Sequence, residues 1–141
     1  MQKILVAADG SEYTQKAVNY LIEHREQFGG QPEIQLVHVR NPLPSRAASA
    51  LGRDTVNKYY QDETRKALAP AMRALDKAKM EYNVVPRIGD VAKEIANYAT
   101  KGRFTLLVMG SHGHGQLASM ALGSAVTKVL AQCSTPLLII R

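Results

Sequence analysis

The sequence predicts an α/β fold: a single domain, 1–141, with a five-stranded parallel sheet in the order 3-2-1-4-5, flanked by helices on both faces and Rossmann-like in plan. Three observations predict it. Short, near-continuous apolar runs recur along the chain, as expected of strands buried on both faces. Each run but the last is followed by a stretch with helical apolar spacing, the pattern of parallel strands joined by crossover helices. Glycine, serine and aspartate cluster after the first and fourth runs, at the strand ends where such folds keep their ligands.

The first strand is Lys3 to Ala8, ending at the turn Asp9-Gly10-Ser11. Ser11 can cap the next helix, whose Ala17, Val18, Leu21 and Ile22 share one face. Gly29-Gly30 ends that helix and Pro32 prevents its return. Ile34 to Val39 is the second strand. Asn41 to Gly52, rich in proline, serine and alanine, reads as one long irregular loop, and such loops tend to be functional or mobile. A long helix from about Thr55 to Lys79 should bury Tyr60, Leu68, Ala71 and Leu75. Pro70 lies inside it and predicts a kink or break. Glu81 to Arg87 is the third strand, Gly89-Asp90 a turn and cap, and Val91 to Lys101 the third helix. Thr105 to Met109 is the fourth strand. A helix carrying Val126, Val129, Leu130 and Cys133 follows, and Pro136 to Ile140 is the fifth strand.

Composition narrows the function classes. The 141 residues suit one domain with one core, and 45% apolar with 21% charged residues is ordinary for a globular chain. The single cysteine, Cys133, excludes an intramolecular disulfide and a cysteine-based zinc site, and reads as a small buried hydrophobe on its helix. The N-terminus runs directly into a strand, and no apolar run approaches the roughly 20 residues that span a bilayer. The expectation is a cytoplasmic protein with no membrane partner. The net charge of +6 comes from scattered residues such as Lys16, Arg40, Arg65, Lys77 and Lys128, so nothing here supports a nucleic-acid partner.

The chemistry concentrates after the fourth strand. Gly110 and Gly113 lack a β-carbon, so the backbone can turn tightly and approach a ligand, and successive exposed amides make an anion-binding concavity. Gly123-Ser124 opens the last helix, where unpaired amides and the helix dipole favour phosphate. Together, Gly110-Ser111-His112-Gly113 and Gly123-Ser124 read as a cradle for the phosphates of an adenine nucleotide.

These residues resemble the signature of the universal stress protein family, and the G-x-x-G-x9-G-[S/T] spacing resembles its ATP-binding branch. Lys3 to Ser11, the Leu36-Val37-His38-Val39 strand, the Gly89-Asp90 turn and the ending Cys133 to Ile140 match as well. The resemblance implies roles. Asp9 would stand at the ribose or phosphate end. Ala7 and Val39 would hold the adenine, Val39 through its backbone, and Met109 would line the floor. Gly110, Gly113, Gly123, Ser124 and Ala125 would surround the phosphates of ATP, with Mg2+ or Mn2+ carried on them. It also implies a homodimer through the last strand, Leu137 to Ile140. An open apolar edge strand is an aggregation hazard, so a copy pairing there makes physical sense. The bound nucleotide would then act as a regulator in the stress response, selecting a protein partner.

Other constellations are weaker. His112-Gly113-His114 resembles a metal pair or a nucleotidyl-transferase motif, but no carboxylate converges on it in sequence and it follows the wrong strand. His38 reads as a structural histidine in its strand. No Walker A sequence occurs, no lysine stands at the cradle, and no catalytic triad can be argued from spacing. Two alternatives stay open: a dimeric interaction protein that ignores nucleotide, and a slow ATPase, self-phosphorylating or nucleotide-transferring enzyme.

Many members of the family carry a basic residue after the second motif glycine and more in the spacer. Here stand His114 and the neutral Gln116-Leu117-Ala118-Ser119-Met120. A histidine at that place supplies positive charge only when protonated, which happens near neutral pH. ATP should therefore bind more weakly at pH 8 than at pH 6, with the difference lost in His114→Ala. Calorimetric titrations that find no pH dependence, or the same dependence in the variant, contradict this.

Overall fold

The computed structural model describes residues 2–114 and 120–141. Five strands, β1 (Lys3–Ala7), β2 (Glu33–Arg40), β3 (Tyr82–Ile88), β4 (Leu106–Gly110) and β5 (Leu137–Ile140), form one parallel sheet in the order β3-β2-β1-β4-β5. The helices are α1 (Glu12–Glu23), α2 (Ser45–Leu51), α3 (Arg53–Lys77), α4 (Val91–Lys101) and α5 (Ser124–Gln132), with a short 3-10 turn at Arg25–Phe28.

The strand order reverses direction at β1, and right-handed crossovers then require the helices to change face. They do. Ile4, Val6, Ile34, Leu36 and Val108 pack against α1 and α3, while Leu5, Val37, Leu107 and Met109 pack against α4 and α5. Ile4, Leu5, Val6, Leu36, Leu107 and Val108 are all fully buried, so the central strands read as continuous apolar runs. The helices that follow β1 and β4 lie on opposite faces at this reversal, and a cleft opens there at the carboxyl edge.

Local signals set the element boundaries. Ser11 accepts the Thr14 amide at 3.3 Å and starts α1, and Asp90 accepts the Lys93 amide at 3.0 Å and starts α4. Gly110 ends β4 for a packing reason. A β-carbon there would lie 2.5 Å from Tyr13 Cβ and 2.8 Å from the Tyr13 carbonyl carbon, so its absence lets α1 cross β4 closely.

Three expectations need correction. The Asn41–Gly52 segment is not an irregular loop, because it contains α2. Four of its helical residues are alanine or leucine, the best helix formers. It is also tied to α3, where the Leu43 amide donates to Tyr60 Oη at 2.8 Å, and the end of β2 just before it is tied there too, as Arg40 reaches Tyr59 Oη at 3.2 Å and Glu63 at 3.3 Å. Pro70 does not break α3, which runs on to Lys77. Pro70 is exposed, so the Lys66 carbonyl that loses its donor can turn to water, while Leu68, Ala71 and Leu75 hold the helix down on the other side. Cys133 lies just past α5 in extended conformation, half-buried against the α4–α5 core, and so is not on the helix itself.

Candidate functional site

A cavity of about 580 Å³ opens at the carboxyl edge between the loops that follow β1 and β4. Its wall includes all ten residues singled out from sequence: Ala7, Asp9, Val39, Met109, Gly110, Gly113, His114, Gly123, Ser124 and Ala125. The volume is in the range of small-molecule and cofactor sites. Gly115 and spacer residues 116–119 lie outside the described residues.

Asp9 is held from nearly every side. Its Oδ1 accepts the Ser11 amide at 2.9 Å and the Thr14 hydroxyl at 2.6 Å. Its amide donates to Thr14 Oγ1 at 3.2 Å, and its carbonyl accepts His114 Nε2–H at 2.9 Å. Burial opposes ionisation, but the bonds from Ser11 and Thr14, with help from the nearby His114, outweigh it and keep the carboxyl below its usual pKa of 3.8. Oδ2 is the oxygen left for a ligand. It faces Gly113, where a β-carbon would stand 2.6 Å away.

The α5 end of the cavity is rich in donors. The Gly123 amide is spent on the Ser111 carbonyl at 2.7 Å, so Gly123 shapes the cradle without offering its own N–H. Glycine also gives α5 no side-chain cap, unlike Ser11 on α1 and Asp90 on α4. The first backbone bond of α5 is Thr127 to Gly123, which leaves the Ser124, Ala125 and Val126 amides without a helical partner while all three residues line the cavity. Among the described residues the Gly113 amide likewise donates to nothing. None of Gly110, Gly113 and Gly123 has positive φ, so close approach, not an unusual turn, is what glycine provides here.

At the other end, β2 runs past β1. Val39 and Arg40 pair with Arg87 and Ile88 of β3, but β1 ends at Ala7, opposite Val37. The Ala8 carbonyl accepts the His38 ring at 2.7 Å. A carbonyl can only accept, so Nδ1 carries the proton and Nε2 is a bare acceptor, buried and without a partner among the described residues. Burial pushes the His38 pKa below its ordinary value, against the pull of the Ala8 bond.

The expectation that no lysine stands at the cradle is corrected. Lys128, one helical turn beyond Ser124, lines the cavity, and so does Arg40. The i, i+4 spacing from Ser124 was the signal that could have identified it. The histidine pair does not make a metal site. The Nε2 of His112 donates to the Met120 carbonyl at 2.7 Å and that of His114 to the Asp9 carbonyl, while His112 Nδ1 takes the Ser111 hydroxyl at 2.8 Å, so the lone pairs do not converge. No cluster of three metal-ligating side chains occurs among the described residues. The Ser111–His112 pair resembles a nucleophile and its base, but Ser111 is 1% exposed and off the cavity wall, which makes it a brace for His112.

Residues 1–141 match the model of the universal stress protein family. The chain belongs to the universal stress protein family. Among curated relatives, universal stress protein YxiE of Bacillus subtilis is 31% identical over 147 residues, an alignment covering 99% of this chain and 98% of that one. Among solved structures, universal stress protein UspA from Lactobacillus plantarum superposes with a TM-score of 0.80 at 18% identity, covering 99% of this chain and 97% of that one. The universal stress protein from Archaeoglobus fulgidus in complex with dAMP does so with a TM-score of 0.72 at 18% identity, covering 100% and 98%. The sheet order and flanking helices are thus those of the family.

The network predicts how Asp9 titrates. Because its folded pKa is lowered, Asp9 adds stability above its unfolded value of 3.8, and that stability is lost as pH falls through the lower folded value. Thr14→Val removes both the donor to Oδ1 and the acceptor of the Asp9 amide, and only the first loss depends on the carboxylate charge. The carboxylate part should cost about 1 kcal/mol at pH 7, after allowance for partial exposure, and the total penalty should shrink by that amount on acidification below that window. Urea unfolding at several pH values checks this. A penalty that stays constant with pH contradicts it.

Proposed function

We propose that this universal stress protein binds ATP and that the bound nucleotide sets the shape of the surrounding loops and so selects a protein partner. The observation that carries the reading is the open start of α5. The Ser124, Ala125 and Val126 amides have no helical partner, the Gly113 amide donates to nothing among the described residues, and all four residues line one cavity, a set that an anion satisfies well. Lys128 adds a fixed positive charge on that wall. The apolar floor, with Ala7, Val39 and Met109, suits a base. The dAMP held by the Archaeoglobus fulgidus relative supports the same ligand class.

Asp9 fits a divalent cation carried on the phosphates. An ionised carboxylate beside a phosphate cradle is repulsive unless a cation stands between them, and Asp9 Oδ2 is the group that would face it. When bound, Mg2+ or Mn2+ would neutralise phosphate charge. The chain's own groups bind and orient. With Ser111 buried and both cradle histidines donating to carbonyls, holding the nucleotide is favoured over rapid chemistry on it. We further propose a cytoplasmic homodimer formed through β5, an edge strand whose four residues are all half-buried and apolar.

Adenine nucleotide should appear by mass spectrometry in the denatured, freshly purified protein. Gly113→Ala should fold and lose at least about tenfold in ATP affinity, because the new methyl group would stand 2.6 Å from Asp9 Oδ2, the oxygen left for the ligand. No binding of millimolar ATP by the folded wild type would instead favour a nucleotide-independent interaction protein. Turnover that disappears in Asp9→Ala would favour a slow ATPase.

A further inference from the structure

Resting on the adenine-nucleotide reading, we infer that His38 is a positioning residue that frees the Val39 backbone to read the edge of the base. The sheet ladder carries the argument. Ala8 N–H donates to the Val37 carbonyl at 2.9 Å. In a parallel ladder the next bond would run from Val39 N–H to the Ala8 carbonyl. That bond is absent among the described residues, and the Ala8 carbonyl takes His38 Nδ1–H instead, at 2.7 Å. Arg40 faces the other way, its carbonyl accepting the Gly89 amide at 2.9 Å. The Val39 N–H and C=O therefore point to the side that β1 has left, and Val39 lines the cavity there.

Packing alone does not call for histidine at this position. His38 is 3% exposed, and its Nε2 is a buried acceptor with no partner among the described residues. A leucine would fill the space without stranding a polar atom. What leucine lacks is the donor for the Ala8 carbonyl. Without that donor the carbonyl needs another, and the Val39 amide is the ladder's own candidate. Closing that bond would remove the amide from the cavity.

An N–H and a C=O on one extended residue match the N1 acceptor and N6 amino donor of adenine. Hypoxanthine reverses both, presenting N1–H and a carbonyl oxygen. The preference for AMP over IMP therefore reports the Val39 pair, and general loosening of the fold would not mimic its selective loss.

The test measures AMP and IMP affinities by calorimetry, and Val39 amide hydrogen exchange by NMR, in the wild type, His38→Leu, His38→Asn and His38→Gln. Asparagine Nδ2 can stand in for Nδ1, whereas glutamine reaches toward the Nε2 position. The wild type should prefer AMP and exchange the Val39 amide rapidly. His38→Leu should lose about tenfold of the preference, one hydrogen bond's worth, and protect the amide. His38→Asn should keep most of both properties and His38→Gln should not. A protected Val39 amide in the wild type overturns the inference without any variant. So does an unchanged AMP-to-IMP ratio in His38→Leu, or an equal loss in His38→Asn. If the wild type binds neither nucleotide yet the amide exchange follows this pattern, the nucleotide reading fails and the His38 clamp stands.

Discussion

Strand β1 stops pairing with β2 at Ala8, whose amide still bonds Val37 while its carbonyl is taken by the His38 imidazole. The carboxyl edge depends on that release. Had the ladder continued, Asp9 would lie in the sheet and α1 would start later. Instead the chain turns at Gly10, Ser11 caps α1, and the Asp9 carboxylate swings under the Ser11 amide and the Thr14 hydroxyl. The chain after β4 first runs beside this turn, with His114 on the Asp9 carbonyl, α5 then packs on the opposite face, and the cavity lies between the turn and the start of that helix.

The electrostatics of that gap divide the labour. The α5 side offers amides without a helical partner and Lys128, and the β1 side offers an ionised carboxylate. The two sides are tied directly by the His114 bond to the Asp9 carbonyl. A polyanionic ligand satisfies the first side and strains against the second, which is the arrangement in which a divalent cation on the ligand becomes useful. The proposed response of the loops to a bound nucleotide would run through the same contacts. Anything that moves His114 pulls on the turn that carries Asp9, and that turn rests against α3 at Ala67, where a β-carbon on Gly10 would come within 3.0 Å of the carbonyl oxygen.

Much of this was legible in the sequence because it rests on short-range rules. Continuous apolar runs gave the strands, Ser11 and Asp90 marked two helix starts, and the glycine spacing located the cradle. What was not legible depends on contacts across the chain. Gly110 reads as a ligand-facing glycine, but its missing β-carbon makes room for Tyr13, nearly a hundred positions earlier. Gly123 reads as a phosphate donor, yet its amide belongs to Ser111. The proline and serine of the Asn41–Gly52 segment read as a loop, while its alanines and the Leu43 bond to Tyr60 favour a helical turn. His38 reads as an ordinary strand histidine, since only the register of β1 against β2 reveals which carbonyl it takes.

The central claim is that one nucleotide spans the cavity, with its base at Val39 and its phosphates at Gly113 and the start of α5. Following backbone amide resonances while adding AMP and then ATP, each with Mg2+, tests it most directly. The account predicts that both ligands shift Val39, and that the larger triphosphate shifts Gly113, Ser124 and Ala125 further. Shifts confined to other parts of the surface, or saturating shifts at Val39 with none at Gly113 and Ser124, would contradict it.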